Sequence, residues 1–340
     1  MAPGHGSSSP DFNILKAGHI EYRVTDLEQA RYFYVDLLGF IETDRIGNRI
    51  YLRCLEDWEH HTFILRQAEA PGVGHLAFRV ESNDDLDALR RLAAERELPC
   101  RWVEPGEEHG QGRALRIQDP LGFPVEFYHD IERVERNLQR FHVYKGPHVM
   151  RIDHFNLHVP DCDAGAAWYR DTLGFKCSEY TETNDIPPHL WATWLHRKQN
   201  VHDVAMMTGP GPRVHHAGFW MQEPGNVLRA ADILAGADFE ASIERGPGRH
   251  GISNAMFLYI LDPDGNRIEL YTSDYMIVDP DFEPIRWDLE NPKRQTYWGA
   301  PAPPSWFNNA SRVESFDPGE GEFVPLAEPT IADRPSYVGH

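Results

Sequence analysis

His154, His216 and Glu269 are the residues whose types and setting could do chemistry. Each stands in an otherwise apolar, strand-like run, such as His154-Phe155-Asn156-Leu157 or Ile268-Glu269-Leu270. A half-buried strand alternates its faces with period two. A polar side chain on the inner face therefore needs a partner. Three such residues on three strands of one curved sheet could converge on a single ion. Two imidazoles and one carboxylate on one side of a metal leave its other positions open. That set is the facial triad of non-haem Fe(II) oxygenases, and Mn(II) accepts the same donors. Taken singly, each histidine reads better as a satisfied core polar group. The ligand reading rests on their recurrence in a duplicated frame.

The duplication is visible without gaps. His19 precedes Gly39 by 20 residues, and His154 precedes Gly174 by 20. Both intervals end in Leu-Gly-Phe. His61 precedes His75 by 14, as His202 precedes His216. A glutamate follows each Asp-Pro by seven: Glu126 after Asp119-Pro120, and Glu269 after Asp262-Pro263. The first half thus carries His19, His75 and Glu126, a complete set of ligand types. Its surroundings differ, because Arg116 stands where the second half has Tyr259 and Arg53 where it has Trp194. A guanidinium beside a divalent ion opposes binding, so the first half is expected to be a metal-free relic.

The elements that must position these residues repeat as well. A strand beginning near a histidine leads into a helix with apolar residues at Leu27, Ala30, Phe33, Tyr34 and Leu37. Strand-like runs follow at Arg49–Leu52 and Thr62–Leu65. Then come a strand from His75 to Val80, a helix at Leu86, Leu89 and Leu92, and a strand pair closing at Val125–Tyr128. Asp-Pro-x-Gly supplies the turn between the last two strands of each half. The pattern predicts an α+β fold of four βαβββ modules in two domains, 12–135 and 150–275. An irregular C-terminal extension, 276–340, contains Trp287, Trp298, Trp306 and Phe307 and is expected to pack on the body.

Composition narrows the function classes. The 340 residues carry 33 Lys plus Arg and 53 Asp plus Glu, a net charge of 33 − 53 = −20. That balance argues against nucleic acid and anionic lipid as partners. No apolar run approaches the ~18 residues of a membrane span, and the stretch from Met1 to Pro10 lacks the apolar core of a secretory signal. Four cysteines without a CxxC pair fit a reduced, cytoplasmic protein.

Several stretches carry a resemblance. They are Arg151-Ile152-Asp153-His154-Phe155-Asn156, Val201-His202-Asp203-Val204-Ala205, Val214-His215-His216, Arg245 to Gly251, and Tyr259 to Pro263 with Ile268-Glu269-Leu270-Tyr271. Together they resemble the type I extradiol catechol dioxygenases of the vicinal oxygen chelate superfamily (the glyoxalase, bleomycin resistance and dioxygenase fold), and most nearly those that cleave homoprotocatechuate. The resemblance spans about residues 12 to 300. It implies that His154, His216 and Glu269 bind Fe(II), or Mn(II), in the second half only. It implies a catechol chelated through both oxygens and opened by O2 to a muconic semialdehyde. His202 would act as acid–base group, and Tyr259 would hold the chelated catecholate oxygen. Asn156 and Trp194 would line the pocket, while Arg245, His250 and Arg294 would meet a carboxylate at the substrate's far end. The family has two neighbouring arginines there, whereas this chain reads Arg294-Gln295. A homotetramer is implied as well. The competing readings are a hydroquinone-type dioxygenase, a glyoxalase-like isomerase, and a binding module without catalysis.

Overall fold

The computed structural model describes residues 10–325. Four βαβββ units follow one another. The first is β1 (Ile14–Val24), α1 (Leu27–Arg31), β2 (Ile41–Ile46), β3 (Arg49–Arg53) and β4 (Phe63–Gln67). The second is β5 (Gly72–Val80), α2 (Asn83–Glu95), β6 (Cys100–Val103), β7 (Ala114–Gln118) and β8 (Pro124–Tyr128). The third is β9 (Val149–Val159), α3 (Cys162–Ala166), β10 (Lys176–Glu182), β11 (Leu190–His196) and β12 (Val204–Thr208). The fourth is β13 (Arg213–Met221), α4 (Pro224–Gly236), β14 (Ile243–Arg249), β15 (Met256–Leu261) and β16 (Arg267–Thr272). The fold class read from the sequence is therefore the one observed.

Each half forms one mixed sheet, in the order β2-β3-β4-β1-β5-β8-β7-β6 and β14-β15-β16-β13-β9-β12-β11-β10. The modules of a half meet where their first strands pair antiparallel, β1 with β5 and β9 with β13. Those central strands are buried on both faces, which lets polar residues stand among apolar ones. Asp26 starts the first helix by accepting from the Glu28 and Gln29 amides, and Asp161 does the same for α3 through Ala164. In both modules the helix passes into a π turn, Tyr32–Leu37 and Ala167–Thr172, rather than continuing as one α-helix. The expected apolar face from Leu27 to Leu37 is buried all the same.

The halves share a core. Phe40 meets Phe219 at 4.9 Å between ring centroids, and Phe78 meets Phe155 at 5.6 Å. The Tyr22 hydroxyl donates to the Arg267 carbonyl at 2.7 Å. The C-terminal stretch returns to this body as far as residue 325, and residues 326–340 of the expected extension lie outside the described residues. β17 (Ile285–Asp288) adds to the outer edge of β10, and α5 (Pro304–Asn308) buries Trp306. A hairpin of β18 (Glu314–Asp317) and β19 (Glu322–Pro325) follows. Among the described residues no helix is long and apolar enough to cross a membrane.

Bulges at the central pairing decide where side chains point. On β9 the register steps from Gly218↔His154 to Phe219↔Ile152, which leaves Asp153 as the extra residue. On β13 it steps from Val214↔Leu157 to His216↔Asn156, which leaves His215 as the extra residue. A bulge re-aims a side chain, so two sequence neighbours can lie on one side of the sheet. The first half has bulges at the matching places, and there the extra residues are Gly18 and Gly74.

Candidate metal centre and active site

β9, β13 and β16 bring His154, His216 and Glu269 together. His154 Nε2 lies 3.3 Å from His216 Nε2 and 3.0 Å from Glu269 Oε2. His216 Nε2 lies 3.2 Å from the same oxygen. Three donors about 2.1 Å from one ion, mutually at right angles, stand about 3.0 Å apart. The triangle fits a divalent ion that keeps its opposite face open. Gly218 makes the approach possible, since it pairs with both His154 and Glu269. A Cβ there would lie 2.1 Å from the His154 ring.

The bulged residues set the protonation of the ligands. Asp153 Oδ2 accepts from His154 Nδ1 at 3.3 Å, which leaves Nε2 as the nitrogen that a bound metal would take in place of a proton. Asn200 Nδ2 donates to the same carboxylate oxygen at 2.9 Å. On the other side the Trp306 carbonyl can only accept, so His215 Nε2 donates to it at 2.9 Å. His215 Nδ1 is then an acceptor and takes the His216 Nδ1 proton at 2.6 Å. His216 Nε2 is thereby freed for the metal. Such outer partners fix ring orientation and raise ligand basicity. Burial opposes a charge on Glu269, yet its bonds to His154 and His216 hold its carboxyl well below the usual range. Burial works against charging His154 too, but the bonds to Asp153 and Glu269 carry it up to about 9. For His216 burial wins over the bond to Glu269 and brings it down to about 4.

Above the triad lies a cavity, and most of the remaining candidate residues line it: Asn156, Trp194, His202, Tyr259, His250 and Arg294. His202 sits 3.9 Å from His154 between ring centroids. Burial holds it neutral, well below its ordinary pKa, and its Nδ1 has no partner among the described residues. Tyr259 is register partner to Glu269. The Gln295 carbonyl takes a proton bond from His250 Nδ1, so His250 Nε2 accepts from the Tyr259 hydroxyl at 2.9 Å. Burial, with Arg245 nearby, brings His250 down to about 3. Burial takes Arg294 down to about 10, and its guanidinium stacks 4.5 Å from the Trp191 ring centroid. Arg245 stands behind this wall. It lies 4.5 Å over Trp306 and donates to the Gln295 carbonyl at 3.1 Å and to Thr296 Oγ1 at 2.7 Å.

Asp153, His215, Gly218 and Trp306 are among the site residues to which the sequence reading assigns no part in the site. Asp153 and His215 were visible only as neighbours of ligands, which a regular strand would turn to the other face. Trp306 lies 4.2 Å from Tyr259 between ring centroids, yet nearly 50 residues along the chain. Nothing in its local sequence ties it to the site.

The Glyoxalase/Bleomycin resistance protein/Dioxygenase superfamily model matches residues 16–127 and 151–270, one span in each half. The chain belongs to this superfamily. A manganese-dependent 2,3-dihydroxybiphenyl 1,2-dioxygenase of Geobacillus genomosp. 3 is 36% identical over 85% of this chain and 94% of its own. A metapyrocatechase of Geobacillus stearothermophilus is 31% identical over 89% and 95%. Among solved structures, homoprotocatechuate 2,3-dioxygenase from Arthrobacter globiformis superposes with a TM-score of 0.88 at 42% identity, covering 94% of this chain and 97% of that one. The relatives and structural neighbours named here are ring-cleaving dioxygenases, so the superfamily's dioxygenase branch is the one this chain joins.

Proposed function

We propose that the second half is an extradiol catechol dioxygenase site in which His154, His216 and Glu269 hold Fe(II), with Mn(II) as the alternative ion. The observation that carries this reading is that His202 lies against the His154 ring, and the Tyr259–His250 pair against His216, in the cavity that the triad borders. When bound, the metal brings the catechol oxygens and dioxygen together and lets electron density pass from ring to oxygen.

The chain's own residues do the rest. Tyr259 already donates to His250, so its hydroxyl oxygen offers lone pairs to a catechol hydroxyl. The Tyr259 hydroxyl, held by His250 Nε2, can therefore accept a hydrogen bond from the catechol hydroxyl and fix its position. Neutral His202, with a free Nδ1, can accept a proton and return it later on the dioxygen side. Trp194 and Trp306 wall the site against water. Arg294 is a buried cation beside the cavity, suited to a substrate carboxylate. Gln295 offers only a neutral amide beside it. The substrate is therefore a catechol carrying a short acidic or alkyl arm, homoprotocatechuate or a 4-alkyl catechol. The product is a muconic semialdehyde containing both oxygen atoms. The first half keeps the fold without a working metal. The homotetramer rests on the family resemblance, and the cytoplasmic location on cysteines that form no CxxC pair.

Oxygen uptake by the Fe(II)-loaded protein tests the reading. Addition of homoprotocatechuate or 4-methylcatechol should consume one O2 per catechol and give a yellow ring-fission product. Folded, Fe(II)-loaded protein that consumes no oxygen with any catechol would turn the reading toward an isomerase or a binding module.

A further inference from the structure

The first half carries another convergence of donors, built from residues that belong to neither triad. Asp44 lies on β2, His60 between β3 and β4, and His109 in the loop between β6 and β7. Asp44 Oδ2 stands 3.1 Å from His60 Nε2 and 3.1 Å from His109 Nε2. All three donor atoms lie within 4.8 Å of one another. The two imidazole rings meet at 80°, with centroids 5.3 Å apart, so their nitrogens converge rather than stack. We propose that Asp44, His60 and His109 form a second divalent-metal site, of the Zn(II), Ni(II) and Co(II) class, that pins the β6–β7 loop to the first module.

The site is built in advance. His60 is buried, and its amide donates to the Glu132 carbonyl at 2.9 Å. Its Nδ1 stands 2.9 Å from Nδ1 of His61, which is fully buried. When His60 Nε2 faces an ion, its Nδ1–H is the donor and His61 the acceptor, the arrangement that fixes a metal-binding imidazole. Gly110, at φ +77°, lets the loop press against this ring, because a Cβ there would lie 2.5 Å from His60 Cγ. Tyr51 packs on both rings, 5.5 Å from His60 and 5.8 Å from His109 between centroids. Asp44 and His109 are partly exposed, so an ion can enter and keep waters in its remaining positions.

The donor set chooses the ion class. Two imidazoles and one carboxylate suit zinc and its neighbours, whereas Ca(II) and Mg(II) take oxygen donors. The competing reading is an ion-pair cluster, with two histidines sharing one carboxylate oxygen. It places two donors on Oδ2 and predicts no bound metal. The consequence of a bound ion is mechanical: it closes a span of 65 residues between Asp44 and His109 and stabilises the fold by mass action.

The test is equilibrium dialysis of the Fe(II)-loaded enzyme against micromolar ZnCl2 under anaerobic conditions, with zinc and iron measured separately. Wild type should take up about one zinc per chain while iron is retained, and its unfolding midpoint should rise. His109→Ala and Asp44→Asn should bind zinc at least about tenfold more weakly, show no zinc-dependent rise, and keep wild-type oxygen uptake. Absence of zinc beyond that displacing iron would overturn the proposal. So would an extra zinc that persists in His109→Ala, or one that is lost in Glu126→Gln and not in His109→Ala.

Discussion

In the second half the residues before the two histidine ligands are Asp153 and His215; in the first half they are Gly18 and Gly74. All four are bulge residues at matching points of the central strand pair. Asp153 and His215 hold the Nδ1 atoms of His154 and His216. Nδ1 of His19 and of His75 has no hydrogen-bond partner among the described residues, and the nearest carboxylate oxygen to His75 Nδ1, on Glu21, stands 3.9 Å away. The lost partners cannot simply be restored, because the space is taken. A Cβ on Gly18 would lie 2.4 Å from the Tyr128 hydroxyl, and one on Gly74 would lie 2.0 Å from Glu21 Oε1. Glu126 is spoken for as well. Its register partner is Arg116 where Glu269 has Tyr259, and Arg116 Nε donates to it at 3.0 Å. Gln111 takes its other oxygen at 2.8 Å. The first-half triangle is wider, with edges of 3.0, 3.5 and 3.9 Å. We infer that three ligand types on the right strands do not by themselves make a centre. Partners that fix the ring tautomers, and the absence of a resident cation, complete one.

That comparison is broken most directly at the ligands. His154→Ala, His216→Ala and Glu269→Ala should each release the metal and take oxygen uptake to background. His19→Ala should leave the metal content and turnover per folded chain unchanged. Metal analysis with oxygen-electrode rates decides it: near-full metal in any second-half variant removes that residue from the ligand set, and halved metal in His19→Ala gives the first half a working site. The next effect concerns His202 and its first-half counterpart His61. His202→Phe should keep metal and catechol binding and slow turnover roughly 10²–10⁴-fold. His61→Phe should leave turnover where it was. Equal rates for wild type and His202→Phe would end the acid–base assignment.

How much of this was open to a sequence reader follows from the bulges. The repeat, the four modules and the convergence of His154, His216 and Glu269 were legible, because periodicity and spacing carry them. Asp153 and His215 were not, because a period-two strand turns neighbours apart and only a register shift puts Asp153 beside His154. Trp306 was legible as an aromatic anchor but not as part of the site, since its carbonyl reaches His215 through a fold-level return of the chain. Asp153→Asn sharpens this point. It keeps the shape of the side chain and removes the charge that holds His154 Nδ1–H. Metal affinity should fall about 10–100-fold, with the fold intact by circular dichroism. An unchanged metal dissociation constant would show that the bulged partner does not tune its ligand.

The smallest expected effect lies at the outer end of the cavity and asks what the second half reads there. Arg294 is buried and stacked on Trp191, and Arg245 is committed to Gln295 and Thr296. Gln295 is half-buried and borders the same cavity. Its backbone carbonyl holds Arg245 and His250, while its side-chain amide is neutral. Gln295→Arg leaves the carbonyl in place and adds a second cation. A hydrogen bond to a charged group contributes about 1.5–3 kcal/mol, and partial exposure puts this one at the lower end. The ratio of kcat/KM for homoprotocatechuate over 4-methylcatechol should therefore rise about tenfold. The gain should come from the acid, with 4-methylcatechol little changed, because the methyl arm has no charge to meet. A ratio that stays put, with both substrates still turned over, would mean that position 295 does not face the substrate's arm. Arg294 would then be left as the cation that any carboxylate must reach.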